Sequence, residues 1–331
     1  MDIFNPYYLQ VVIFFIINAI LGISLYFTLA SGQLSLGAAG FMSVGAYTAA
    51  LLSLKGDVPI GLAIIIGGIA AAIIAVIIGL PTTRLKGLYL AIATLGFGEV
   101  VRVIILNMDI TNGALGLSGI PSISQTLIEY LYSAGMDGDV QAVANLLTIL
   151  ILLIILIVIV AFCLRISNSR IGRAFAAIKA DDHAAELMGI NVVYYKMLSF
   201  VIGAFMAGIG GGLYAHITNF INPTDFGYQK VVQILLFPVF GGSNVVWGSI
   251  LGSFVLTLLP EVLRFLSDYR DLIYGALLVI LMAFRPDGIL SESMIDKLAR
   301  KMGLKHDPQI PESQVLTERF EAYKRQQADK H

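Results

Sequence analysis

The charged residues of this chain are spaced in a way that leaves few folds open to it. Residues 3–54 are 52 positions without one Asp, Glu, Lys or Arg; residues 58–83 are 26, 140–164 are 25, 197–224 are 28 and 231–260 are 30. A spanning helix needs about 20 mostly apolar residues, because hydrocarbon satisfies neither a bare peptide group nor a charge. As one helix the longest stretch would run about 78 Å, more than twice a ~30 Å hydrocarbon core, so it must fold back once. Its polar interruption is Ser31-Gly32-Gln33-Leu34-Ser35, and residues 231–260 are interrupted in the same way at Gly241-Gly242-Ser243-Asn244. Composition agrees: 57% of the 331 residues are hydrophobic and 13% charged, against about 45–50% and 25% in soluble domains.

These gaps predict an all-α polytopic membrane protein. The expected spans are 8–30, 36–54, 58–80, 87–107, 140–164, 196–216, 231–247, 248–266 and 270–285. That makes about nine transmembrane helices, eight to ten, with the short segments at 231–247 and 248–266 open to being broken or re-entrant. The chain divides into a membrane domain, 1–290, and a soluble cytoplasmic tail, 291–331, whose eight basic and seven acidic residues give it a solvated composition. Orientation follows from Lys and Arg in short loops. Arg165, Arg170, Arg173, Lys179 and Lys196 mark the connection 165–196 as cytoplasmic, as do Arg285 and the basic residues of the tail. The connection 108–139 carries Asp109, Glu129, Asp137 and Asp139 without Lys or Arg and belongs on the other side. Nine crossings put the amino terminus outside, and a re-entrant first stretch puts it inside. Asp2 with no Lys or Arg before the first apolar run departs from a cleavable signal, so the first span is expected to stay.

A formal net charge of −1 provides no field for nucleic acid. The single Cys163 has no disulfide partner, and His183, His216, His306 and His331 match no ligand spacing. No Lys precedes Ser or Thr, which removes the phosphate-cradling G-x-x-x-x-G-K-[ST] loop, and neither H-E-x-x-H nor G-x-S-x-G occurs. The expectation is a protein that is not an enzyme and carries no cofactor or metal.

What polarity remains in the spans is concentrated. Ser31, Gln33, Ser35 and Ser43 lie among glycines, the composition of a broken helix lining a polar cavity. Glu99 with Arg102 and Glu261 with Arg264 repeat E-x-x-R, so each pair shares a helix face and partly neutralises itself. Two readings fit such a pair: an internally satisfied bridge, or a polar lining for a solute path. Glu99 and Arg102 rank higher for the second because Gly96 and Gly98 leave room beside them. His216, near a span end, reads as interfacial. Gly208 with Gly212, and Gly248 with Gly252, fit G-x-x-x-G, which lets helix backbones approach closely where lipid supplies no hydrophobic drive.

The connection 165–196 is long enough to fold. Phe175, Ile178, Ala185 and Met188 fall at helical separations, Asp181 and Asp182 suit a helix start and Gly189 a helix end. A loop that only sets topology and a helix that docks a partner both fit this pattern.

The Ala184-Ala185-x-x-x-Gly189 core, with Gly172-Arg173 before it and Ile190-Asn191 after it, resembles the cytoplasmic EAA loop by which ABC import permeases dock on their ATPases. Further segments resemble the permease subunits of branched-chain amino acid importers. They are Ser31-Gly32-Gln33-Leu34-Ser35-Leu36-Gly37, Tyr89-Leu90-Ala91-Ile92-Ala93-Thr94-Leu95-Gly96-Phe97-Gly98-Glu99, Thr111-Asn112-Gly113, Gly116-Leu117-Ser118-Gly119-Ile120-Pro121, Phe240-Gly241-Gly242-Ser243 and Phe284-Arg285-Pro286-Asp287-Gly288. His183 departs from the EAA pattern by standing where that loop has Glu, flanked by Asp182 and Glu186.

The resemblance implies a permease in the cytoplasmic (inner) membrane, its carboxy terminus cytoplasmic. It also implies a second homologous permease, two ATPase subunits and an extracytoplasmic amino-acid-binding protein as partners, with membrane lipid around them. Gly172, Arg173, Asp182, His183, Ala184, Ala185, Glu186 and Gly189 would form the ATPase-coupling loop. Ser31, Gln33, Ser35, Glu99 and Arg102 are the candidates for the translocation path. A related solute such as urea or another amide is a near alternative. An ion-driven secondary transporter using the break near Gly32 and the Glu99 carboxylate is a more distant one.

Overall fold

The computed structural model describes residues 6–82, 85–133, 135, 139–262 and 275. Among them α-helices dominate: α1 (Pro6–Ala30), α2 (Ala38–Lys55), α3 (Ile60–Thr82), α4 (Leu88–Asn107), α5 (Ile123–Ser133), α6 (Val140–Ser167), α7 (Arg170–Ala180), α8 (Asp182–Leu187), α9 (Val192–Thr218), α10 (Tyr228–Gly241) and α11 (Val246–Val262). Strand structure is confined to a two-residue antiparallel ribbon, β1 (Leu117–Ser118) and β2 (Phe220–Ile221), with Leu117 opposite Ile221. The all-α expectation holds.

Among the described residues the spans are fewer than the eight to ten expected. Five described helices, α1, α3, α4, α6 and α9, are long and apolar enough to cross a membrane. Residues 231–247 and 248–266, expected as two short crossings or as broken or re-entrant segments, form over their described residues the bent pair α10 and α11, with 120° between them, a broken span or a re-entrant loop. At 14 residues α10 is about 21 Å long, short of a ~30 Å core. The fold-back is possible because Gly241, Gly248 and Gly252 bring the two backbones together: a Cβ on Gly241 would lie on the Gly248 carbonyl oxygen, and one on Gly252 on that of Phe237. The segment expected to cross at 36–54 is the helix α2, but Ser43, Tyr47, Thr48, Ser53 and Lys55 dilute its apolar character below that of the five. Protein encloses it, and every residue from Gly37 to Tyr47 is buried. The expected span 270–285 (apart from Gly275), Arg264, the segment 284–288, Arg84 and the tail 291–331 lie outside the described residues.

Two helices organise the interior. From Ile16 to Thr28 every residue of α1 is buried, and α1 packs on α6, α9, α10 and α11. On α9, small residues face α1, α2 and α3 in turn. Gly203 would place a Cβ 2.6 Å from the Ser24 carbonyl oxygen of α1, and Gly211 would place one on the Met42 carbonyl oxygen of α2. Gly208 lies against Gly68 and Ala71 of α3. The G-x-x-x-G pairs therefore serve packing within the chain. Opposite Gly208, α3 has a small-residue stripe, Ala63, Gly67, Gly68, Ala71, Ala75 and Gly79, all buried, while Ile65, Ile69, Ile73, Val76 and Ile77 are exposed on its other side. A helix that is small on one face and branched-aliphatic on the other suits close protein packing inside and hydrocarbon outside.

Candidate functional site

The connection after α6 folds into two short helices set by capping. The Ser169 hydroxyl accepts the Ile171 N–H at 3.1 Å and starts α7. Arg170, Arg173 and Lys179 of α7 are exposed, while Ala174, Phe175 and Ile178 are buried, with Phe175 edge-on to Tyr195 of α9. Gly172 sits where a side chain would strike the Ser167 carbonyl oxygen, so the tight α6–α7 corner requires a glycine. Asp181 caps α8: its Oδ1 accepts the His183 N–H at 2.8 Å and the Ala184 N–H at 3.2 Å. Those two amides, that of Ala184 first, hold its carboxyl below the ordinary carboxylate range. Gly189 ends the motif at φ +81°, where an L side chain is strained, and its N–H donates to the Glu186 carbonyl at 2.9 Å.

The expected helix start and end are thus both present, with one correction to the expected apolar face. Phe175, Ile178 and Ala185 are buried, but Met188 is 85% exposed. It follows the last helical residue of α8, so the periodicity that would have turned it inward has already ended. His183, Ala184, Glu186 and Leu187 are exposed with it, giving α8 an outward face of mixed apolar and polar character.

Behind that face lies a polar network joining the loop to the bundle, buried at Ser31, Gln33, Lys196 and Ser199 and open to solvent at Lys86 and Lys179. The connection between α1 and α2, residues 31–37, is the expected break in the first apolar stretch, and it lies against the end of α7: a Cβ on Gly32 (φ +74°) would be 3.2 Å from the Lys179 Cα. Gln33 Nε2 donates to the Lys196 carbonyl (2.9 Å), Ser31 Oγ (3.0 Å) and Ser199 Oγ (3.1 Å), and the two serine hydroxyls are 2.7 Å apart. Lys196 Nζ donates to Asp182 Oδ2 at 2.6 Å, and Lys86 Nζ stands 3.6 Å from the same oxygen. Lys179 Nζ donates to Asn244 Oδ1 of the α10–α11 connection at 2.5 Å. A polar cavity of about 180 Å³ opens among these groups, lined by Gly32, Gln33, Lys86, Lys179, Asp182 and Lys196.

The five candidate path residues fall into separate places. Ser31 and Gln33 belong to the network. Ser35 is buried one turn away, its hydroxyl accepting the Gly37 N–H at 3.3 Å, while the Leu36 N–H donates to Thr94 Oγ1 of α4 at 2.8 Å. Glu99 and Arg102 form the expected pair, Arg102 Nε donating to Glu99 Oε2 at 2.7 Å, on a half-exposed flank of α4. They lie five or more residues beyond Thr94 and share no hydrogen bond with Ser31, Gln33 or Ser35 among those found in the described residues. Gly98 touches Gly40 of α2, whereas a Cβ on Gly96 would meet nothing, so one of the two glycines packs and the other leaves open space.

His216 lies two residues before the end of α9. It is fully buried, Nδ1 at 2.8 Å from the Gly212 carbonyl and Nε2 at 3.0 Å from Ser53 Oγ, which ties α9 to α2. The residues that sequence reasoning missed are Lys196, Ser199, Thr94 and Asn244. Lys196 had counted only as a topology-setting charge. Its position immediately before the charge-free residues 197–224 was the available signal, because a Lys at the threshold of an apolar helix has to find a partner or reach water.

The model of the family described as branched-chain amino acid transport system, permease component, matches residues 7–282 of this chain. The chain belongs to that family. Among similar proteins of this permease family, the high-affinity branched-chain amino acid transport system permease protein LivM of Escherichia coli is 32% identical over 273 residues, 78% of this chain and 64% of LivM. LivH of Escherichia coli is 33% identical over 140 residues, 42% of this chain and 45% of LivH. BraD of Pseudomonas aeruginosa is 31% identical over 158 residues, 47% of this chain and 51% of BraD. The chain thus matches a little under two thirds of the length of LivM. No solved structure matches it. Family and helices together make the chain a multi-pass membrane protein of a transport family.

Proposed function

We propose that this chain is the membrane-spanning permease subunit of an ATP-binding-cassette importer for branched-chain amino acids in the cytoplasmic membrane. In this reading it pairs with a second, homologous permease, two ATPase subunits dock from the cytosol, and an extracytoplasmic binding protein delivers the solute. Residues 172–189, including Gly172, Arg173, Asp182, His183, Ala184, Ala185, Glu186 and Gly189, form the coupling loop. Ser31, Gln33, Ser35, Glu99 and Arg102 contribute to the path or to its walls. The carboxy terminus is cytoplasmic, and residues 291–331 are a soluble tail following a membrane domain over 1–290.

The observation that carries this proposal is the construction of α7 and α8. Two short helices are capped at their starts, anchored by Phe175, Ile178 and Ala185, and expose Leu187 and Met188 beside His183 and Glu186. An exposed apolar tip rimmed by polar residues is the composition of a docking surface. ATP-driven closure of the docked subunits would bias the spans between two packings through that grip.

Tagged full-length chain purified in mild detergent with its partners tests this. Two ATPase subunits are expected to co-purify, and deletion of residues 184–189 should abolish their association and solute uptake while leaving membrane insertion intact. Co-purification that survives the deletion would overturn the assignment of the loop. Uptake by the purified chain alone in liposomes, driven by an ion gradient, would favour the secondary-transporter reading. Competition of labelled leucine uptake by unlabelled urea or amides separates the two solute classes.

A further inference from the structure

Between α8 and the interior of the bundle the polar contacts form one continuous chain. Asp182, the first residue of α8, holds the Lys196 ammonium at 2.6 Å. Lys196 lies in the first turns of α9 and is 9% exposed, and the Asp182 carboxylate is its nearest counter-charge. The backbone carbonyl of the same residue accepts from Gln33, and Ser199, three residues on, meets both Gln33 and Ser31. From the α8 carboxylate to the α1–α2 connection there are two steps, each below 3.2 Å. A second route runs beside it: Lys179 at the end of α7 lies on Gly32 and bonds Asn244. Helix α8 has six residues, too few to hold its place by its own hydrogen bonds, so its position depends on the buried Ala185 and on the Asp182–Lys196 pair.

We infer that Lys196 and Gln33 are positioning residues for transport, and that the Asp182–Lys196–Gln33 chain is the joint through which displacement of α8 reaches the α1–α2 connection. This rests on the proposed function, since it requires a partner that moves α8. Lys86 is a weak member of the joint. It stands 3.6 Å from Asp182 with 63% of its side chain exposed, and an ion pair so open to solvent contributes little.

The test uses the complete importer reconstituted in proteoliposomes, with uptake, ATP hydrolysis and ATPase retention measured on the same preparations. Asp182→Asn and Gln33→Met should keep the ATPases bound and hydrolysis within about twofold of wild type while uptake falls about tenfold or more, so that the ATP consumed per solute rises by that factor. Asp182→Glu should keep most of the uptake. Asp182→Lys combined with Lys196→Asp should recover uptake lost in either single variant, because the pair is re-formed with its charges exchanged. Lys86→Met should transport like wild type. Wild-type uptake in both Asp182→Asn and Gln33→Met would overturn the joint. So would parallel loss of uptake, hydrolysis and bound ATPases in those variants, which would make the network a scaffold for docking. If wild-type chain neither binds ATPases nor uses ATP, the importer reading itself falls, an outcome distinct from failure of the variants alone.

Discussion

Helices α6 and α9 are of nearly equal length, 28 and 27 residues, and both arise from stretches without charge, yet they occupy opposite situations. On α6 the large apolar residues Leu146, Leu150, Leu153, Ile154, Ile157, Val158 and Phe162 are exposed, a broad apolar face turned away from the protein. On α9 the sequence from Gly203 to Gly212 carries Gly203, Gly208, Gly210, Gly211 and Gly212, all buried against three other helices. Absence of charge therefore tells where a segment dissolves, whereas the size of its side chains tells what it touches. In hydrocarbon a Leu gains little by leaving lipid for protein, and close backbone approach is what remains to hold helices together.

If that contrast is right, the largest effect will follow from enlarging α9. Gly211→Leu would force a side chain into the Met42 carbonyl, and the expected outcome is loss of folded protein, with a cost above ~4 kcal/mol, read as aggregation on size exclusion in detergent. Next is Thr94→Val on α4, which removes the acceptor of the Leu36 N–H at a fully buried hydroxyl. It should cost about 1–3 kcal/mol in a reversible unfolding assay, with Thr94→Ser retaining most of the stability. Outside the membrane the effects become local. Asp181→Ala should accelerate amide exchange at His183 and Ala184 without moving the global melting point. The Asp181 carboxyl is held low in the folded chain by those amides. Its contribution is therefore complete above the ordinary carboxylate range and lost as pH falls through the depressed value, so the same amides should lose protection in wild type at strongly acidic pH. Smallest of all, Ile157→Ala on the outward face of α6 should change stability by less than about 0.5 kcal/mol. A loss of several kcal/mol there would break the contrast.

Much of this arrangement was readable before any coordinates. The fold-back at residues 31–35 followed from a stretch too long for one crossing, and the limits of α8 followed from Asp181 and Gly189, whose roles are local and need no partner. The Glu99–Arg102 bridge followed from spacing on a single helix. What was not readable depends on approach between distant segments. The interruption at Gly241-Gly242-Ser243-Asn244 marks a break at 231–266 but leaves two crossings and a re-entrant pair both open, because Gly241 and Gly248 look like any small residues until their backbones meet. Polar residues in α2 give no hint that protein surrounds it, and the contact of His216 with Ser53 spans 163 positions, which no local pattern reveals. Lys196 is the most instructive omission: a basic residue next to a span was counted for the side of the membrane it marks, although its ammonium and its carbonyl both face inward partners.

The enclosure of α1 has a consequence for biogenesis. Helix α1 is synthesised before every other described helix and is the most thoroughly wrapped of the five long apolar ones, and the Asn18 amide donates at 3.0 Å to Thr257, 239 positions downstream. Until α11 is synthesised that amide must wait in the bilayer or the translocon without its mate, whereas Ser24 and Thr28 bond to carbonyls of their own helix and can enter at once. Closure of the bundle around α1 thereby requires α11, and a chain stalled before residue 257 would leave the Asn18 amide without this acceptor.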